Sequence, residues 1–270
     1  MLTRCSNQRS KTPISMRDAN KDAIGMAARR ERLLEAGFRL MSARTIEAVT
    51  LQQIADEARI GIATLYRYFK AKPDLVIEIG TNIWKRYYVE VEKEYARLNG
   101  SAMNAAEELE FFLDSIIELY RSRRDVLRFN RNFDTYVQHE RCTAAQMRPY
   151  NDAVAVFAKK FHTVVRKARK DGTIDIRVSE SQLFVNLLYI MVSVAGKYAE
   201  GLVYPPHGEQ DMTDGLLMLK RMIMAALRKG MVGTVGTFGT VATLATPRPH
   251  RPQSPHRPHP PHRPPKGAAR

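Results

Sequence analysis

From about residue 25 to residue 230, apolar side chains return every three or four positions in one segment after another, with polar residues between them. That period is the mark of helices that each bury one face. The shortest segments lie between Thr50 and Leu75. Thr50 precedes an apolar run and Gln53 follows three residues later, the spacing of a reciprocal helix cap. Ile54, Ala55 and Ala58 form one face of a helix of about two turns. Arg59-Ile60-Gly61 interrupts it, and Ile62 to Phe69 resumes helical spacing with Leu65 and Phe69 four apart. Two helices this short, joined by so tight a turn, predict a helix-turn-helix whose second helix enters the DNA major groove.

Longer helices follow. Pro73 suits the first position of a helix reaching about Leu98, with Leu75, Ile79, Ile83 and Tyr87 on one side and Asn99-Gly100-Ser101 as its stop. Asn104 and Glu107 cap a helix carrying Leu109, Phe112, Leu113, Ile116 and Leu119. A short segment spans Asp125 to Gln138. A long one spans about Ala144 to Lys170, where Pro149 predicts a late start or a kink, and Asp171-Gly172-Thr173 ends it. Ile174-Asp175-Ile176 is at most an extended link. Ser179 and Gln182 cap a helix running to about Glu200, apolar over much of its circumference. The last helix, about Thr213 to Lys229, is closed by Gly230. Two such apolar helices late in a modest chain predict burial against their copies in a second subunit.

The order T-x3-IA-x2-A-x5-TLYRYF-x2-K, from Thr50 to Lys72, resembles the DNA-binding domain of the TetR family of bacterial transcriptional regulators, as does the helix around Leu33, Ala36, Phe38 and Leu40 before it. The likeness covers about the first 50 residues of the helical region. It departs at Arg59, where the family usually has Gly, and at Gly61, where a Ser-like cap is usual. The resemblance implies an all-α fold: an N-terminal three-helix helix-turn-helix domain, then a C-terminal helical domain that binds an effector and dimerises through its last two helices. The expected boundaries are a disordered basic arm over 1–24, the DNA-binding domain over 25–72, the helical domain over 73–230 and a disordered tail over 231–270. The tail repeats Gly-Thr-x triplets and then becomes a Pro/His/Arg tract, a composition that builds no core.

On helical spacing, Ile62, Ala63, Tyr66 and Arg67 leave the face that Leu65 and Phe69 define. Gln52 points the same way and has the geometry to pair with an adenine, while Ile62 and Ala63 suit a thymine methyl. By position in the family pattern, Thr50, Tyr66, Tyr68 and Lys72 correspond to phosphate contacts. Gln52, Ile62, Ala63, Thr64 and Arg67 correspond to groove-facing positions, which alone carry sequence information. Candidates for an effector pocket are Phe112, Tyr120, Phe129, Phe133, Tyr136, Phe157, Phe161 and Met191, each of which also suits plain core. Leu183, Leu187, Met191, Val194, Leu216, Ile223 and Leu227 are the expected dimerisation residues.

The formal charge of +15 sits mostly in the ends: seven Lys/Arg against two acids in residues 1–30, and six against none in 231–270. Such basic ends suit nucleic acid, and equally an anionic membrane. Cys5 and Cys142 make no disulfide framework, which fits a reducing cytoplasm. The leader lacks an apolar stretch typical of secretion, and no membrane span is expected. No phosphate loop, H-E-x-x-H or nucleophile elbow occurs, so no enzyme is expected. His139 and Cys142 are three apart, but a pair is not a zinc site. No metal and no cofactor is therefore expected, with His162 and the histidines His250, His256, His259 and His262 read likewise. The reading is a cytoplasmic bacterial regulator, nucleoid-associated when bound, most simply a repressor. Its partners are a double-stranded operator, a second copy and a small effector. The alternative is a TetR-like helical dimer that binds ligand or protein without specific DNA binding.

Overall fold

A computed structural model describes residues 16–201 and 211–228. The leader before Met16 and the 231–270 tail lie outside the described residues, as do Gly230 and the four tail histidines. Nine α-helices are present among the described residues: α1 (Met16–Ala43), α2 (Leu51–Glu57), α3 (Ile62–Tyr68), α4 (Lys72–Arg97), α5 (Ala105–Ser122), α6 (Arg124–His139), α7 (Ala144–Asp171), α8 (Glu180–Ala199) and α9 (Thr213–Arg228). The all-α expectation holds.

Two boundaries differ from those read along the sequence. Helix α1 begins at Met16, inside the stretch expected to be a disordered arm to residue 24. Residues 16–24 contain neither Gly nor Pro and include Ala19 and Ala23, so nothing there opposes helix. Pro73 is the second residue of α4, not the first, and its missing N–H is still one of the unpaired four. There the Asp74 carboxylate accepts the Ala71 backbone N–H at 3.1 Å. Helix α7 starts at Ala144, as read along the sequence, and not late at Pro149; Thr143 and Gln146 cap its start reciprocally.

Two cores organise the helices. The first gathers Leu33 and Met41 of α1, Ile46 and Val49 of the following turn, Ile54, Leu65 and Phe69, all essentially inaccessible. Leu75 and Ile79 of α4 complete it, with Phe129, Phe133 and Tyr136 of α6. Gly37 lets α1 and α4 touch, since a Cβ there would lie 2.7 Å from Ile79 Cδ1. The second core joins α4, α5, α7, α8 and α9 around Trp84, Leu109, Leu113, Tyr120, Val164 and Leu216. Helix α4 thus runs through both. A buried carboxylate, Glu108, is held there by the Tyr95 hydroxyl at 3.0 Å and by Lys167.

By length and composition alone, helix α8 is apolar enough to cross a membrane. It packs one side on α5, α6, α7 and α9. Its apolar residues serve two faces. Leu183, Leu187 and Met191 are buried inside the subunit, as is Leu216 of α9, which corrects their assignment to a dimer interface: they are already covered. Val194, Ile223 and Leu227 are half-buried against the same core. The outward apolar face is made by Val185, Tyr189 (64% exposed), Ile190, Met218 and Met222 (59% exposed).

Candidate nucleic-acid interface

The helix-turn-helix is built from local hydrogen bonds. The Gln53 backbone N–H donates to Thr50 Oγ1 at 3.2 Å, and the Thr50 N–H donates to Gln53 Oε1 at 2.9 Å. The Thr50 hydroxyl acts here as acceptor, so its own proton is free for a phosphate oxygen. Helix α2 then closes by two bonds, from the Arg59 N–H to the Asp56 carbonyl at 3.0 Å and from the Ile60 N–H to Ala55 at 2.9 Å. This closure requires a left-handed residue. Arg59 takes it, with φ 54°. Gly61 opens α3 without a side-chain cap.

Leu65 and Phe69 pin α3 to the first core and turn its opposite face to solvent. Ala63, Tyr66 (53% exposed) and Arg67 are displayed there, and Ile62 and Thr64 are half-buried at its edges. Thr50 and Gln52 are exposed at the start of α2. In the free protein the Gln52 amide donates to Asp56 Oδ1 at 2.8 Å, a bond it must release to read a base. Arg59, Arg67 and Lys70 are exposed and make no ion pair among the described residues. Cations left unpaired on one face are the electrostatic footprint that nucleic acid requires.

Two of the expected phosphate contacts are placed differently from the rest. The Tyr68 hydroxyl is buried without a hydrogen-bond partner, so in this conformation it reaches no phosphate. It is drawn inward beside Arg30, whose guanidinium lies 4.8 Å over the Phe69 ring and forks onto Glu78, with Nε 2.6 Å from Oε1. Lys72 is only partly free. Its ammonium donates to the Glu47 carbonyl at 3.2 Å and lies 5.5 Å over the Tyr136 ring. Partial burial lowers its pKa from the ordinary lysine value.

Residues 33–79 match the family profile described as bacterial regulatory proteins, tetR family. This is a TetR-family helix-turn-helix domain. The matched span holds the first core's residues from α1 to the opening of α4, without those contributed by α6. An HTH-type transcriptional regulator of Staphylococcus aureus (strain bovine RF122 / ET3-1) is 35% identical over 78 residues, covering 28% of this chain and 40% of that protein. The curated relatives are thus matched over about 40% of their length or less, and they are regulators, not enzymes. Solved structures extend the fold likeness over most of the chain. The ketosteroid transcriptional regulator KstR2 of Mycobacterium tuberculosis matches with a TM-score of 0.52 at 16% identity, covering 74% of this chain and 95% of that one. FadR of Bacillus subtilis, in complex with stearoyl-CoA, gives 0.55 at 13% identity (74% and 98%). A regulator of Saccharomonospora viridis in complex with choline gives 0.58 at 20% identity (75% and 99%).

Beyond the TetR-type domain, a cleft of about 560 Å³ lies between α4, α6, α7 and α8. None of the eight rings and side chains expected to form an effector pocket lines it. Phe112, Tyr120, Phe129, Phe133, Tyr136, Phe161 and Met191 are buried core, and Phe157 is half-buried over Tyr87 at 5.7 Å. They fill space by stacking on one another, as Phe112 does on Phe161 at 5.7 Å. The walls are instead Trp84, Tyr150, Phe184 and Tyr189, with Asp134 and Asn130 among the polar groups. Asp134 and Tyr150 lie on α6 and α7, distant in sequence, and only the helix packing joins them. Among the described residues no three His, Cys, Asp or Glu side chains come together to hold a metal; His139 is exposed and Cys142 half-buried.

Proposed function

We propose that the protein is an effector-responsive transcriptional repressor that binds a pseudo-palindromic operator as a homodimer. The observation that carries this is the outer face of α3, where Ala63, Tyr66 and Arg67 stand exposed on a helix pinned from behind by Leu65 and Phe69. Ile62 and Thr64 flank them, while Thr50, Lys72 and the unpaired Arg59 and Lys70 supply phosphate contacts that set register. The two recognition helices of a dimer would fall one duplex turn apart, about 34 Å.

The exposed apolar side chains of α8 and α9 support dimerisation through Val185, Ile190, Met218 and Met222, in place of the residues buried inside the subunit. Stearoyl-CoA and choline in structures of the same fold support an effector role for the cleft. So does its wall. Tyr150 stacks on Phe133 at 4.5 Å, and Phe133 belongs to the core that holds α3 in place. An effector that fits the cleft better in one arrangement of this wall shifts the dimer away from its DNA-competent state by its differential affinity. The protein would act in the cytoplasm, on nucleoid DNA.

The test is a mobility shift with the DNA upstream of the protein's own gene, at about 150 mM salt with excess competitor, where purely electrostatic binding is weak. A discrete complex that withstands competitor and disappears in the Tyr66→Ala/Arg67→Ala variant is expected. Binding that competitor removes entirely would reject specific recognition at this site.

A further inference from the structure

We propose that the cleft between α4, α6, α7 and α8 binds a small organic cation, with Asp134 as counter-charge and Trp84, Tyr150 and Tyr189 as aromatic walls. This rests on the effector reading above and adds the chemical class of the effector.

Asp134 is open to the cleft and makes no hydrogen bond or ion pair with any described residue. Its neighbours cannot supply one. Tyr150 is close enough for its hydroxyl and the carboxylate to feel each other. Its single proton, however, is directed to Asn130 Oδ1 at 3.3 Å, while its oxygen accepts the Trp84 indole N–H at 3.1 Å. Of the two cations lining the cleft, Arg131 is paired with Glu200. Neither Arg131 nor Lys197 offsets Asp134, whose carboxyl is raised to about 6 by desolvation alone. An unpaired carboxylate open to a ring-lined cleft favours a cationic group lodged beside it.

An anion lodged among the rings beside Asp134 would be repelled by it, and the cation that could hold one, Lys197, lines the cleft from α8. A neutral apolar guest would fill the volume but leave the carboxylate further from water and still unpaired, which is costly. A cation relieves both defects, pairing with Asp134 while ring faces within about 6 Å add their quadrupole attraction. The Trp84–Tyr150–Asn130 chain of hydrogen bonds fixes two of those rings before any ligand arrives. The cleft's volume falls within the range of small-molecule sites, roughly 300–1,000 Å³.

Trp84 is the chain's single tryptophan, so intrinsic fluorescence reports on this wall. The full-length protein is titrated with benzyltrimethylammonium and, in parallel, with benzylsulfonate, a similar shape of opposite charge. A saturable response to the cation and none to the sulfonate is expected. Asp134→Asn should weaken cation binding roughly tenfold or more, the scale of losing one close counter-charge. Tyr189→Ala should weaken it about threefold. Both positions are exposed, and a thermal melt confirms that each variant is folded. No saturable response to the cation, equal affinity for the sulfonate, or unchanged affinity in Asp134→Asn would overturn the proposal. Adding the same probe to the protein–operator complex separates the two readings. Cation binding that leaves the complex intact keeps the site and removes its regulatory role. Operator release by a neutral or anionic compound, with no cation binding, removes the cation site alone.

Discussion

Replacing Arg59 by glycine should make the protein more stable. The α2–α3 turn closes by the paired bonds from the Arg59 and Ile60 N–H groups, and this geometry forces φ at Arg59 to 54°. For a residue with a Cβ, the left-handed region costs roughly 1–2 kcal/mol, because Cβ crowds the following carbonyl oxygen. Glycine removes that strain but loses more backbone freedom on folding, by roughly 0.5–1 kcal/mol. The net expectation for Arg59→Gly is stabilisation by about 0.5–1 kcal/mol. In a domain of this size that raises the melting temperature by about 1–4 °C. Arg59→Ala supplies the control, since it removes the same guanidinium and keeps the Cβ. Differential scanning calorimetry of the three proteins at matched concentration separates the contributions. If Ala stabilises as much as Gly, loss of charge explains the gain and the strain argument fails. Operator binding reads the other half of the residue. If Arg59 touches a phosphate, both variants flatten the slope of log affinity against log salt by about 0.9.

Three further perturbations probe other parts of the structure. Gly37→Ala places a methyl 2.7 Å from Ile79 Cδ1 and 3.1 Å from Leu75 Cδ2, both buried, and should lower stability by about 1–3 kcal/mol in a denaturant titration. An unchanged midpoint would show that α1 and α4 separate freely. Asp134, exposed at the cleft, has its folded pKa raised to about 6 by the desolvation its neighbours impose, so its contribution favours the native state below about pH 4 and is lost as pH rises through about 6. The groups facing it are Tyr150, Tyr189, Arg131 and Lys197. Asp134→Asn should therefore melt above the parent protein at about pH 8 and level with it at about pH 4; a constant offset across that range would contradict the desolvation of the carboxylate. Ile190→Glu, on the outward face of α8, should halve the mass seen by sedimentation equilibrium while the subunit stays folded. A dimer that persists would place the interface elsewhere.

What could be read along the chain was whatever depends on near neighbours. Reciprocal caps join residues three apart, so Thr50–Gln53, Asn104–Glu107 and Ser179–Gln182 were visible in sequence and are present in the structure. Thr143 and Gln146 form the same reciprocal cap, and the helix they open continues through Pro149. The left-handed residue, Arg59, stands where the resemblance to the TetR family leads one to expect Gly.

Directions and voids were not legible. Tyr68 belongs to a motif whose positions were clear, yet its hydroxyl is turned inward beside Arg30, a residue of another helix. Helix α8 is apolar on nearly every side, so periodicity could not separate Leu187, which faces the core, from Ile190, which faces outward. The aromatic residues expected to line a pocket pack against each other, and the cleft between α4, α6, α7 and α8 is lined by Trp84, Tyr150, Phe184, Tyr189 and Asp134 among others. A cleft is space that side chains fail to fill, and that is a property of how four helices meet. Helix periods, caps and the recognition motif act within a few residues and were therefore set by sequence alone. Which apolar face is core, which is free, and where an unpaired carboxylate meets three rings depend on contacts between distant segments, and only the tertiary packing decided them.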